Sequence, residues 1–137
     1  MKAGIGQDIL GGYENGILQP YFSVIAKDAD REQLGEFLAV VKGTLRKLAD
    51  QGINRKSLLA GINYYEFRYR EADFGSAPKG LMYGLQSMDS WLYDGDPLMH
   101  LEYEKTFEFL KKAVEEGYFE NLIKTCLLDN PFEAVIT

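Results

Sequence analysis

The sequence predicts an α+β chain: an N-terminal β-hairpin, part of an incomplete antiparallel sheet, followed by about five helices. Three observations predict it. Asn15-Gly16 lies between apolar residues and leads into an extended stretch over 17–27, whose side chains fall on two alternating faces. From Asp30 onward the apolar residues step by three and four instead. Glycine and proline then divide that helical pattern into separate segments.

The hairpin is expected to centre on Asn15-Gly16, because both residues tolerate the positive φ of a tight type I′ turn. Its second strand is read as residues 17–27, with Phe22, Val24 and Ala26 on one face and Tyr21, Ser23 and Ile25 on the other. Both faces are apolar enough to predict cover on both sides. Pro20 cannot donate to a ladder and marks an edge or a bulge.

Asp30 and Gln33 have the spacing of a capping box that opens the first helix, and Gly52 closes it. Leu34, Phe37, Leu38, Val41, Leu45 and Leu48 form its apolar stripe and are expected to be buried. The second helix starts at Asn54, with Ile53 and Leu58 as a staple, and ends near Phe74-Gly75. Leu58, Leu59, Ile62, Tyr65 and Tyr69 face inward on it. Pro78 opens the third helix, whose inner face is Leu81, Gly84, Leu85, Met88, Trp91 and Leu92. Trp91 is therefore expected to be buried, with a partner for its indole N–H and a cost of about 3–5 kcal/mol on truncation to Ala. Asp96 and Pro97 begin the fourth helix, which places Leu101, Phe107, Leu110 and Val114 inside and stops at Gly117. A short fifth helix takes Phe119, Leu122, Ile123, Cys126 and Leu127 up to Asn130-Pro131. Residues 132–137 read as the start of a strand or linker.

At 137 residues the chain is one domain or a piece of one. The net charge of −6 argues against a general nucleic-acid binder, which needs a basic face, and leaves room for a locally basic groove. No apolar run approaches a membrane span, and Met1-Lys2-Ala3-Gly4 lacks the apolar stretch of a signal peptide. The single cysteine, Cys126, has no internal disulfide partner and points to a reducing compartment.

The residues carry no complete catalytic set. A catalytic zinc needs three protein ligands, and the chain has one histidine. His100 and Glu104, one turn apart, would supply two at best. Cys126 lies on an apolar stripe and reads as an inert core thiol. Gly75-Ser76 has no nucleophile-elbow frame around it. Gly4, Gly6, Gly11 and Gly12 are not followed by the Lys-Ser/Thr of a phosphate loop. Glu66, Glu71, Asp73, Asp89, Glu102 and Glu104 are plentiful, but Arg68, Arg70 and Lys79 are placed to pair with carboxylates, Glu66 with Arg70 at i,i+4 in the favourable order. The rings of Tyr64, Tyr65, Phe67 and Tyr69 would form either a stacking surface or, at helical spacing, a core. No catalytic, cofactor-binding or metal-binding residue is assigned.

Four stretches carry a resemblance. They are Glu66-Phe67 with Arg70-Glu71-Ala72-Asp73-Phe74-Gly75, then Pro78-Lys79-Gly80-Leu81-Met82-Tyr83-Gly84, then Met88-Asp89-Ser90-Trp91-Leu92-Tyr93-Asp94, then Pro97 to Lys105. With Asp8-Ile9-Leu10-Gly11, Gln19-Pro20, Gly117-Tyr118-Phe119-Glu120 and Asn130-Pro131, the chain resembles the middle of presequence-protease-type zinc metallopeptidases of the pitrilysin/insulysin clan. The resemblance implies a fragment of the second domain running towards the interdomain linker. Residues 1–75 would be the later part of an α+β peptidase-like domain and 76–137 a helical segment leading to the linker. It also implies a parent that degrades short unstructured peptides with zinc held by an inverzincin motif, H-x-x-E-H, which has no counterpart in this chain. The expected role here is a non-catalytic scaffold, with no cofactor of its own and the parent's remaining domains as partners. Unfolded peptides would be met only through the parent, with neither nucleic acid nor membrane involved. A bacterial cytoplasm, or an organellar matrix in a eukaryote, fits that parent. The alternative is a stand-alone, non-enzymatic structural or peptide-binding module derived from the same fold.

Overall fold

A computed structural model describes residues 4–72 and 74–137. The signal-peptide reading of Met1-Lys2-Ala3 and the carboxylate of Asp73 therefore lie outside the described residues. The order of elements is the one the sequence predicts, a hairpin and then five α-helices. Strands β1 (Asp8–Glu14) and β2 (Tyr21–Lys27) come first, followed by α1 (Leu34–Gln51), α2 (Arg55–Glu71), α3 (Lys79–Trp91), α4 (Glu104–Ala113) and α5 (Tyr118–Leu122). The described residues fall into two compact units. One comprises residues 4–14, 21–53 and 117–137; the other comprises 15–20, 54–72 and 74–116.

In the first unit β1 and β2 pair antiparallel, with Glu14 opposite Tyr21 and Asp8 opposite Lys27. The turn is a six-residue loop over 15–20, and residues 17–20 are not strand. The displaced register has a clear reason. A two-residue turn at Asn15-Gly16 would have carried Pro20 into the ladder opposite Gly11, where its missing N–H breaks the pairing. The longer loop leaves Pro20 just ahead of β2. The expectation of cover on both sheet faces is not met: Phe22 on one face and Ile25 on the other are about half exposed. Two strands alone hide neither face without more sheet or a covering helix.

The capping box at Asp30 is present, the Asp30 N–H donating to Gln33 Oε1 at 3.3 Å, although its first turn, Arg31–Gln33, is 3₁₀ before α1 begins. Gly52 stops α1 with φ +86°, a left-handed value that favours glycine. The α1 stripe is half-buried rather than buried; among the described residues its main cover is α5 and the helical stretch after it. After α5 the helix loosens into a π-helical stretch, Ile123–Leu128, where the Asp129 N–H donates to the Lys124 carbonyl five residues back at 2.8 Å. That wider turn changes the phase of the side chains. Ile123 and Leu127 stay half-buried, while Cys126 is exposed, correcting its reading as a core thiol. Residues 132–137 join no strand; Phe132 and Ile136 are almost fully exposed, and Glu133 is held by Lys42 at 2.8 Å.

In the second unit Asn54 caps α2, its side chain accepting the Ser57 N–H at 3.0 Å. The helix ends earlier than expected, at Glu71, with Ala72 in the left-handed conformation. Among the described residues of this unit the buried ones are Ile62, Ala72, Ser90, Phe107, Ala113 and Val114. Tyr65 points out, 57% exposed, so the inward face of α2 is narrower than the sequence suggests. The fourth helix also begins later. Asp96 caps only a turn, accepting the Leu98 N–H at 2.9 Å, and α4 starts at Glu104. Once begun, it buries Phe107 and Val114 and half-buries Leu110, as the periodicity requires.

The largest departure is α3. Leu81, Leu85, Met88, Trp91 and Leu92 are all exposed, Trp91 at 64%. Met82, Gln86 and Asp89 are half-buried instead, and Ser90 is buried. The inward face is thus rotated by one residue, about 100° at 3.6 residues per turn. Hydrogen bonds fix this rotation. The Ser90 hydroxyl donates to the Asp96 carbonyl at 2.6 Å, and the Ser90 carbonyl accepts the Gly95 and Tyr93 N–H groups, both at 3.0 Å. A Cβ at Gly95 would stand 3.0 Å from that carbonyl, so the fold-back needs glycine's small size. Trp91→Ala then belongs in the surface range, within about 0.5 kcal/mol.

Candidate functional site

The second unit holds an aromatic cleft of about 250 Å³ lined by Tyr69, Phe74, Tyr83, Gln86, His100, Leu101 and Tyr103. Each wall comes from a different segment. Tyr69 is supplied by the last turn of α2, and Tyr83 and Gln86 by α3. His100, Leu101 and Tyr103 come from the turns leading into α4. The rings brace one another edge-on: Phe74 and Tyr83 have centroids 5.5 Å apart at 90°, Tyr69 meets Phe107 at 5.7 Å, and Tyr103 meets Phe107 at 6.1 Å. Such tilted contacts suit the ring quadrupole. Among the described residues the lining has no carboxylate and no Lys or Arg. It can receive an apolar or aromatic group and offers phenol, amide and imidazole for hydrogen bonding.

His100 is half-buried at this cleft. Glu104, its suggested companion, lines a separate cleft with Glu102 and Lys105. The structure does not bring the pair into one cleft. Among the described residues no group of three His, Cys, Asp or Glu side chains stands together as a metal site. With one imidazole in the chain, the residues present do not fit a catalytic zinc. The aromatics of α2 divide: Tyr69 lines the cleft, whereas Tyr64, Tyr65 and Phe67 are well over half exposed, with the Arg68 guanidinium 5.8 Å from the Tyr64 ring centre. Their reading as core fails because α4 packs on only one side of α2.

Of the carboxylates, Glu66 is the most constrained. Its side chain is 20% exposed and is bonded by Lys111 of α4 and, at 3.4 Å, by Arg70. Spacing pointed to Arg70, but Lys111 lies 45 residues away, and no local pattern could reveal it. Lys79 donates to the Glu71 carbonyl at 3.4 Å, which steadies the C-terminal end of α2. The Lys111 hydrogen bond holds the Glu66 carboxyl below its ordinary range, with the charges of Lys111 and Arg70 adding and desolvation opposing. A depressed folded-state value contributes stability that is fully present above the unfolded value of about 4.3 and is lost as pH falls through the folded one. Lys111→Met should therefore be less stable than the unaltered chain at neutral pH, with the gap closing in acid. Denaturant midpoints measured from neutral pH downward test this; a gap that stays constant into acid would show that Lys111 acts through packing instead.

The chain spans about one-seventh of the length of the curated relatives it matches. It is 44% identical over 137 residues to Protein HypA of Clostridium perfringens, covering all of this chain and 14% of that protein. It is 33% identical over 141 residues to Presequence protease 1, chloroplastic/mitochondrial, of Arabidopsis thaliana, covering 99% of this chain and 13% of that protein. No family model matches, and no solved structure does. No helix among the described residues is long and apolar enough to cross a membrane.

Proposed function

We propose that this chain is a non-catalytic scaffold segment of a zinc metallopeptidase that degrades short unstructured peptides. The observation that carries the reading is an end-to-end match to Presequence protease 1 that occupies only 13% of that protein. A second observation supports a segment over a free module. The chain exposes 10624 Å² of surface. At 15.5 kDa, area scaling gives about 7,200 Å² for one compact body and only about 8,700 Å² for two separate bodies of half the mass. A stand-alone module is less well supported, because it would leave this excess uncovered.

In this reading the zinc and its activated water belong to the parent's other domains, which are this chain's partners. The cleft at Tyr69, Tyr83 and Tyr103 contributes wall rather than chemistry. Purified residues 1–137 should hydrolyse no peptide, with or without added zinc. A quenched fluorescent peptide is the probe. Zinc-dependent cleavage that disappears in His100→Ala would sink the scaffold reading.

A further inference from the structure

We infer that the α3 face formed by Leu81, Leu85, Met88 and Leu92, with Trp91 at its end, is the seat of another part of the same longer polypeptide; the inference rests on the reading above. These residues recur at i, i+4, i+7 and i+11 and form one continuous stripe. Each is at least 41% exposed, and no charged side chain interrupts the positions between them on that face.

The helix cannot turn this stripe inward. Ser90 is buried on the opposite face, bonded to the Asp96 carbonyl and receiving the Gly95 N–H, and Phe74 packs against Tyr83 at 5.5 Å. Rolling α3 by one residue to bring Leu85 inward would break those bonds and expose Ser90. The exposed face is thus fixed by the unit's own hydrogen bonding.

Its chemistry selects the kind of partner. Large aliphatic side chains, a methionine and a tryptophan without charge are the composition of a permanent interface, whereas exchangeable partners meet a more polar surface. A permanently joined partner is available by length. At full coverage of this chain, six-sevenths of the 44%-identical Clostridium protein lies outside the matched stretch. The occupant we commit to is an apolar helix or sheet face from that remainder. A second copy of this chain is the competing occupant.

The test replaces the matching stretch of Clostridium HypA with this chain carrying Leu85→Cys, and compares it with the isolated chain carrying the same change. Maleimide labelling is timed, and the modified peptide is identified by mass. Cysteine is small and apolar, so the variant leaves the face able to dock. In the isolated chain Leu85→Cys should label as freely as the exposed Cys126. In the folded chimera it should label at least about tenfold more slowly, as a site that needs opening does. A folded chimera that labels at the isolated rate overturns the inference and leaves the scaffold reading standing. A chimera that does not fold overturns the scaffold reading itself, and the inference with it. An isolated chain that is dimeric and already protected at this position assigns the face to a second copy and overturns the proposed occupant.

Discussion

Phe107→Ala is expected to unfold, or nearly unfold, the second unit. Phe107 is 7% exposed and is the ring on which Tyr69 and Tyr103 both rest, at 5.7 and 6.1 Å. Truncating a buried phenylalanine costs about 3–5 kcal/mol, part from lost burial and part from the cavity left behind. Whole domains are stable by only about 5–15 kcal/mol, and small ones lie at the low end. The few buried side chains described in this unit, chiefly Ile62, Phe107 and Val114, leave little reserve. The cleft should be lost with it, because Tyr69 and Tyr103 would no longer be held at their edges. Denaturant titration followed by far-UV circular dichroism reads the midpoint, with Trp91→Ala as the matched surface control. If both variants shift the midpoint equally, Phe107 is not the centre of this core.

That pairing of variants also shows where sequence reasoning worked. Periodicity located α4 and its buried side, since Phe107 and Val114 sit on a stripe that has one partner, α2, inside the same unit. Capping chemistry fixed the starts at Asp30 and Asn54, because a cap is satisfied by the next three residues alone. Periodicity failed on α3. It reports which face of a helix is apolar and says nothing of whether the covering surface lies within this chain. Tyr65 and the two faces of the hairpin are misread for the same reason. The cleft was only half legible. Its aromatic residues stand out in the sequence, but His100 and Glu104 were paired on helical spacing, and the helix begins only at Glu104.

Glu120→Ala should cost about 1.5–3 kcal/mol, the range for a hydrogen bond to a charged group. The Ile53 N–H donates to Glu120 Oε1 at 2.8 Å in a partly buried setting, across 67 residues of sequence. Gly52 makes the approach possible. It ends α1 at φ +86°, and even a Cβ there would lie 3.6 Å from the same carboxylate oxygen. With α1 ended, the Ile53 N–H has left the helical ladder and needs an acceptor from elsewhere. Deleting the carboxylate strands that donor where water reaches it poorly, so most of the loss is the cost of an unpaired group. Glu120→Gln keeps an amide oxygen in place and should recover a large share, since only the charge contribution is removed. Thermal or denaturant unfolding of the three chains gives the order unaltered, Gln, then Ala. If Gln is as destabilised as Ala, the carboxylate acts through its charge near the start of α5 rather than through the bond to Ile53.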